Sequence, residues 1–127
     1  MPAECSGKLK ILVVDDDPMI CDCIKMMLQF CGHDVHSENS AQAAFTVFVP
    51  NVFDIIFVDY SMPGMKGDEL AVAIKAVAPK QPVIMVTGNA PACGSLPGVD
   101  YIVNKPVSLD DLKDAINRLS GETSFSE

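Results

Sequence analysis

The chain has 127 residues, 49% of them apolar, with 17 acids against 9 bases and a net charge of −8. That length suits one domain with its own core, and an acidic balance with no Lys/Arg cluster argues against a nucleic-acid surface. No apolar run approaches the roughly 20 residues of a membrane span, "MPAECSGKLK" lacks a signal-peptide core, and the five cysteines form neither a CxxC nor a paired framework. The composition reads as a cytoplasmic protein with reduced thiols, without membrane insertion or direct contact with nucleic acid.

The first element is "KILVV" (10–14), a continuous β-branched run of the kind buried on both faces of a parallel sheet. It runs into Asp15, Asp16 and Asp17. In "DPMICDCIKMMLQFCG" Asp17 has the place of an N-cap and Pro18 that of the first helical residue. Ile20, Ile24, Met27, Leu28 and Cys31 form one stripe, and Gly32 stops the helix. "DVHSE" (34–38) is a short strand, and "SAQAAFTVFV" (40–49) a helix begun by Ser40 and closed by Pro50.

"FDIIFVD" (53–59) is a second buried strand, "SMPGMKG" a turn-rich loop and "DELAVAIKAVA" (68–78) a helix closed by Pro79. "PVIMVT" (82–87) and the short "YIV" (101–103) complete the strands. "SLDDLKDAINRLS" (108–120) is a last helix with Ser108 as N-cap and Asp111 three residues on. Strands alternating with helices imply right-handed βαβ units and a parallel sheet covered on both sides. The expected domain is single over 1–127, with its core at about 9–119 and a flexible tail at 121–127. His33 and His36 read as surface or capping residues. Met26, Met27, Phe45 and Phe48 read as core or sheet-facing.

Open parallel sheets bind ligands beyond the carboxyl ends of their strands. Here four strands end in groups that handle phosphate: Asp15 and Asp16, then Asp59, then Thr87, then Lys105 before Pro106. Three carboxylates in one place raise one another's pKa unless a cation sits among them. An oxygen-only donor set points to Mg²⁺ or Mn²⁺. Lys105 supplies a mobile positive charge, Thr87 a hydroxyl, and Asp59, alone on its strand, a carboxylate able to attack phosphorus.

The stretches "ILVVDDDP", "DIIFVDYSMPGMKGDEL", "VIMVTGNA" and "NKPVSLDDL" resemble the motifs of the receiver domain of two-component response regulators, in the same order and over nearly the whole chain. The resemblance implies an α/β, flavodoxin-like, doubly wound fold: a five-stranded sheet of order 2-1-3-4-5 in three layers. It implies Asp59 as the phosphoacceptor, served by a sensor histidine kinase or phosphotransfer protein. Mg²⁺ would be held by Asp15, Asp16, Asp59 and the backbone carbonyl of Ser61. Thr87 and Lys105 would contact the phosphoryl group, Lys105–Pro106 would be cis, and Met62, Pro63 and Gly67 would shape the loop after Asp59. The implied function is a phosphorylation-dependent switch whose only chemistry is phosphotransfer to Asp59 and slow autodephosphorylation.

Two features depart from that pattern. The family's switch aromatic stands three residues before the lysine, where this chain has Ile102; Tyr101 is one place earlier, either as a plain strand residue or shifted by a bulge. The stretch "GNAPACGSLPGVDYIVN" holds two prolines and three glycines where a crossover helix belongs, so the fourth helix is expected to be shortened or absent. Two other functions use the same residues. An aspartyl-phosphate phosphatase would put a second acid two residues after the nucleophile, where Ser61 stands; a non-phosphorylated interaction module would keep the fold without the chemistry.

Overall fold

A computed structural model describes residues 8–88 and 98–121. Strands β1 (Lys10–Val14), β2 (Asp34–Glu38), β3 (Ile55–Asp59), β4 (Val83–Thr87) and β5 (Tyr101–Asn104) form one parallel sheet of order β2-β1-β3-β4-β5. The helices among the described residues are α1 (Pro18–Phe30), α2 (Ala41–Val47), α3 (Gly67–Val77) and α4 (Leu109–Ile116), the last continued by a π-turn over Asn117–Gly121. The expectation of a shortened or absent fourth crossover helix falls on 89–97, outside the described residues.

Strand alternation sorts the core into two layers. Ile11, Val13, Ile55, Phe57, Val86 and Val103 face α1 and α4, against Ile24, Leu28 and Leu112. Leu12, Val14, Ile56, Val58 and Val83 face α2 and α3, against Ala44, Leu70 and Ile74. All five residues of β3 and of β4 are buried, as their uninterrupted apolar runs require. Each large aliphatic side chain withdrawn in this way stabilises by about 1.5–3 kcal/mol.

The element ends follow local chemistry. Asp17 caps α1, its Oδ1 accepting from Met19 N at 3.0 Å with Pro18 behind it, and Gly32 leaves the helix at φ +93°. Ser40 accepts from Ala43 N at 3.0 Å, and Ser108 and Asp111 exchange two bonds of 3.1 Å in a capping box. Helix α2 stops at Val47, short of 49, because Phe48 is already extended ahead of Val49–Pro50. Pro82 has no N–H to give the ladder, so β4 starts one residue late. Strand β3 starts at Ile55, although Asp54 N still reaches Lys10 O at 2.7 Å.

Three side-chain expectations are overturned. His33 is buried, its Nδ1 accepting the Leu9 N–H at 3.1 Å. Met26 and Phe45 are exposed, because the stripe that faces the sheet on each helix is supplied by Cys21, Ile24 and Leu28 on α1 and by Ala41 and Ala44 on α2. Met27 packs partly against the core and Phe48 is buried, as expected.

Candidate functional site

Parallel register carries the polar strand ends to one edge. Val14 pairs with Val58, so the next residues, Asp15 and Asp59, stand on neighbouring strands. Val86 pairs with Val103 and Thr87 with Asn104, and Lys105 follows, its N–H donating to Thr87 O at 2.8 Å. Asp15, Asp59 and Lys105 each continue the alternating set that faces α1 and α4, so all three side chains meet on one side. They line a cleft of about 520 Å³ together with Asp16, Ser61 and Thr87.

Lys105 Nζ donates to Asp59 Oδ1 at 3.0 Å and to Asp15 Oδ2 at 3.3 Å. Asp15, Asp59 and Thr87 are buried, whereas Asp16 is exposed. One oxygen from each of Asp15, Asp16 and Asp59 lies within 4.8 Å of the others, a spacing that lets all three hold one metal ion. Three negative groups are thus gathered round one lysine. Burial raises the Asp59 pKa above the usual carboxylate value; the Lys105 hydrogen bond opposes this, and the charges of Asp15 and Asp16 add to it. For Lys105, burial acts to lower the pKa, but its contacts with Asp59 and Asp15 outweigh it and the net shift is upward. Such a set, with hard oxygen donors and an excess of negative charge, is suited to a hard divalent cation.

Backbone contacts hold the carboxylates in place. Asp15 Oδ1 accepts from Asp17 N at 2.9 Å, while Asn39 Nδ2 donates to Asp15 O at 3.0 Å. The Asn39 support was not apparent from sequence; the one cue was a polar residue directly after β2. Behind Asp59 the chain turns through Ser61–Met62–Pro63 and returns so closely that a Cβ on Gly67 would overlap Asp59 O. Gly67 N closes this loop by donating to Tyr60 O at 2.9 Å. The Lys105–Pro106 peptide is cis, as the resemblance implies.

The question at Tyr101 is resolved by register. Strand β5 pairs with β4 residue for residue from Tyr101 to Asn104, without a bulge. Ile102 therefore shares a face with Asn104 and Thr87, and Tyr101 points the other way. There its hydroxyl donates to Asp114 at 3.3 Å and Arg118 lies 5.4 Å from its ring centroid. Tyr101 is a plain strand residue.

Among known proteins, the family model for the response regulator receiver domain matches residues 11–117. The chain is 34% identical, over 90% of its length, to the sensor histidine kinase RcsC of Salmonella typhi. To the transcriptional regulatory protein ZraR of Salmonella typhimurium it is 30% identical, over 92%. It spans only 12% and 27%, respectively, of the lengths of these two relatives. A CheY-like response regulator receiver domain protein from Methanospirillum hungatei superposes with a TM-score of 0.85 at 30% identity, covering 95% of this chain and 100% of that one. The response regulator protein TrrA from Thermotoga maritima, solved in complex with Mg²⁺-BeF, gives 0.81 at 30% identity, covering 89% and 99%.

Proposed function

The chain belongs to the receiver domains of two-component response regulators, phosphorylation-dependent switches, and on that premise we propose that Asp59 is the residue that takes the phosphoryl group. One observation carries the assignment: the ends of β1, β3 and β5 bring Asp15, Asp59 and Lys105 into direct contact. Asp59 is the member of the cluster that stands alone on its strand end, with Lys105 already on its oxygen.

In the proposed reaction an Asp59 carboxylate oxygen attacks phosphorus while the P–N bond of a donor phosphohistidine breaks. The bonding pair stays on the imidazole nitrogen, which takes up a proton, and Asp59 becomes an acyl phosphate. Lys105 moves its charge from the carboxylate to a phosphoryl oxygen, and the Thr87 hydroxyl donates to another. Asp15, Asp16 and Asp59, with the Ser61 carbonyl, would hold Mg²⁺ or Mn²⁺, which when bound offsets negative charge on the carboxylates and the incoming phosphoryl group. Receiver domains are phosphorylated by histidine kinases, and a sensor kinase or phosphotransfer protein is the proposed donor here. The chain acts on itself and is not proposed to turn over a metabolite. No helix among the described residues is long and apolar enough to cross a membrane; a cytoplasmic place is part of the proposal.

The test is intact-mass analysis after incubation with acetyl phosphate and Mg²⁺. One phosphoryl group per chain is expected, lost in Asp59→Asn and when the metal is chelated. Rapid multiple turnover of a phosphate ester would favour the phosphatase reading, and no labelling at all would favour the interaction module.

A further inference from the structure

Helix α1 is apolar on the side turned to solvent as well as on the side turned to the sheet. Cys21, Ile24 and Leu28 are its buried residues. On the outer side Met19, Met26 and Phe30 are 72%, 66% and 80% exposed, and the Cys23 thiol is free and exposed. The spacing 19, 23, 26, 30 keeps all four on one stripe, the pattern of a seam between two helices. Single exposed hydrophobic residues are ordinary, but a contiguous apolar stripe opposite a buried face marks a helix covered on both sides.

The stripe runs beside a hollow. Between α1 and the turn that follows Lys105, a cleft of about 460 Å³ is walled by Met19, Ile20, Cys23, Met27, Pro106 and Val107. It lies toward the start of α1. Phe30, the most exposed side chain of the stripe, stands at the other end, about 16 Å from Met19 by the rise of the helix.

We infer that a second copy of this chain covers this face, its α1 antiparallel to the first, with Phe30 of each copy seated in the cleft of the other. Knob and hollow lie at opposite ends of one stripe, so a two-fold axis satisfies both at once and the assembly closes as a dimer. About an axis between Cys23 and Met26, Met19 faces Phe30 of the second copy and Cys23 faces its Met26. The flank of the stripe fits the same register. Asp22 and Gln29 lie on one edge of it, and antiparallel pairing sets the carboxylate of one copy beside the carboxamide of the other, which donates to it. Neither side chain has a hydrogen bond or ion pair among the described residues. Charge does not oppose the contact locally: α1 carries one acid, Asp22, and one base, Lys25, so the net −8 of the chain lies elsewhere. With one helix of 13 residues from each copy the interface is small, and a dissociation constant on the order of 10–100 µM is expected.

The experiment is sedimentation velocity of the full chain, thiols kept reduced, over a concentration series that spans the expected constant. A reversible monomer–dimer equilibrium is expected. Phe30→Ala and Met19→Glu should each weaken it by about tenfold or more. Gln29→Glu, which sets two carboxylates side by side, should weaken it too, and adding Asp22→Lys should restore it, since each lysine then meets a glutamate of the other copy. These side chains are exposed in the single copy, so each variant should keep the wild-type circular dichroism spectrum. A chain that stays monomeric throughout, or a dimer that Phe30→Ala and Met19→Glu leave equally strong, would overturn the inference. Failure of Asp22→Lys to rescue Gln29→Glu would overturn it as well.

Discussion

Asp15, Asp16 and Asp17 are consecutive in sequence and do three different things. Asp15 is buried against Lys105, Asp16 is exposed at the rim of the acidic cluster, and Asp17 caps α1. Asp16→Asn should therefore abolish Mg²⁺-dependent labelling of Asp59. Asp17→Asn keeps a capping oxygen and should leave labelling nearly intact, and Asp17→Ala should cost about 1 kcal/mol of stability by denaturant titration. His33 shows how burial changes what a residue means. Burial lowers its pKa, with the Asp54 charge opposing, and the neutral ring accepts the Leu9 N–H. Below the ordinary histidine value of about 6.5 the unfolded chain takes a proton that the folded one resists. Stability conferred by neutral His33 is thus present above that pH and is lost as pH falls through the lowered folded value. His33→Asn keeps an acceptor near Nδ1 and should flatten this limb of the stability–pH curve, whereas His33→Ala should cost about 1–3 kcal/mol at pH 7.

The loop from Asp59 to α3 is where local geometry and the site are the same problem. Gly67 is needed because α3 begins against the backbone of Asp59, and Lys66 N is held by Glu69 Oε1 at 2.9 Å as the helix opens. A methyl group placed there would overlap Asp59 O and must push the helix start or the strand end aside. Gly67→Ala should cost about 1–3 kcal/mol, as overpacking does. It should also slow labelling of Asp59, a combination that calorimetry and mass analysis would separate from simple unfolding. The period-2 and period-3.6 patterns made nearly every element legible. Their ends were less so, because ends depend on which backbone groups find partners: Phe48 turns extended ahead of Val49–Pro50, and Asp54 bonds to Lys10 without joining β3.

At the level of the assembled sheet, the acidic edge concentrates negative charge at a cost to the folded state. Burial and the neighbouring acids raise the Asp59 pKa, so in the metal-free protein its charged form is less favoured than that of a free carboxylate. The folded state binds that proton better than the unfolded one. The resulting stabilisation is present below the ordinary carboxylate range and is lost as pH rises through the raised value. Two consequences follow at neutral pH. Asp59→Asn should melt higher than wild type in EDTA, by on the order of 1 kcal/mol. Mg²⁺ at a hundredfold excess over its dissociation constant should stabilise wild type by about 2.7 kcal/mol, and Asp16→Asn by far less. Thermal melts with and without metal check both.

The apolar runs "KILVV", "DIIFVD", "VIMVT" and "YIV", each leading into polar residues at its end, carried the parallel sheet and the proposed site residues Asp15, Asp16, Asp59, Thr87 and Lys105. They could do so because side-chain type and strand end are local properties. Sequence could not show that Asp15 and Asp59 share Lys105, that Asn39 holds the Asp15 backbone, or that Tyr101 turns from Thr87 toward Asp114. Those depend on strand register, and one residue of slip reverses every face. The burial of His33 is of the same kind: it comes from segments distant in the chain, Leu9 among them, closing over a polar group, which no local pattern records.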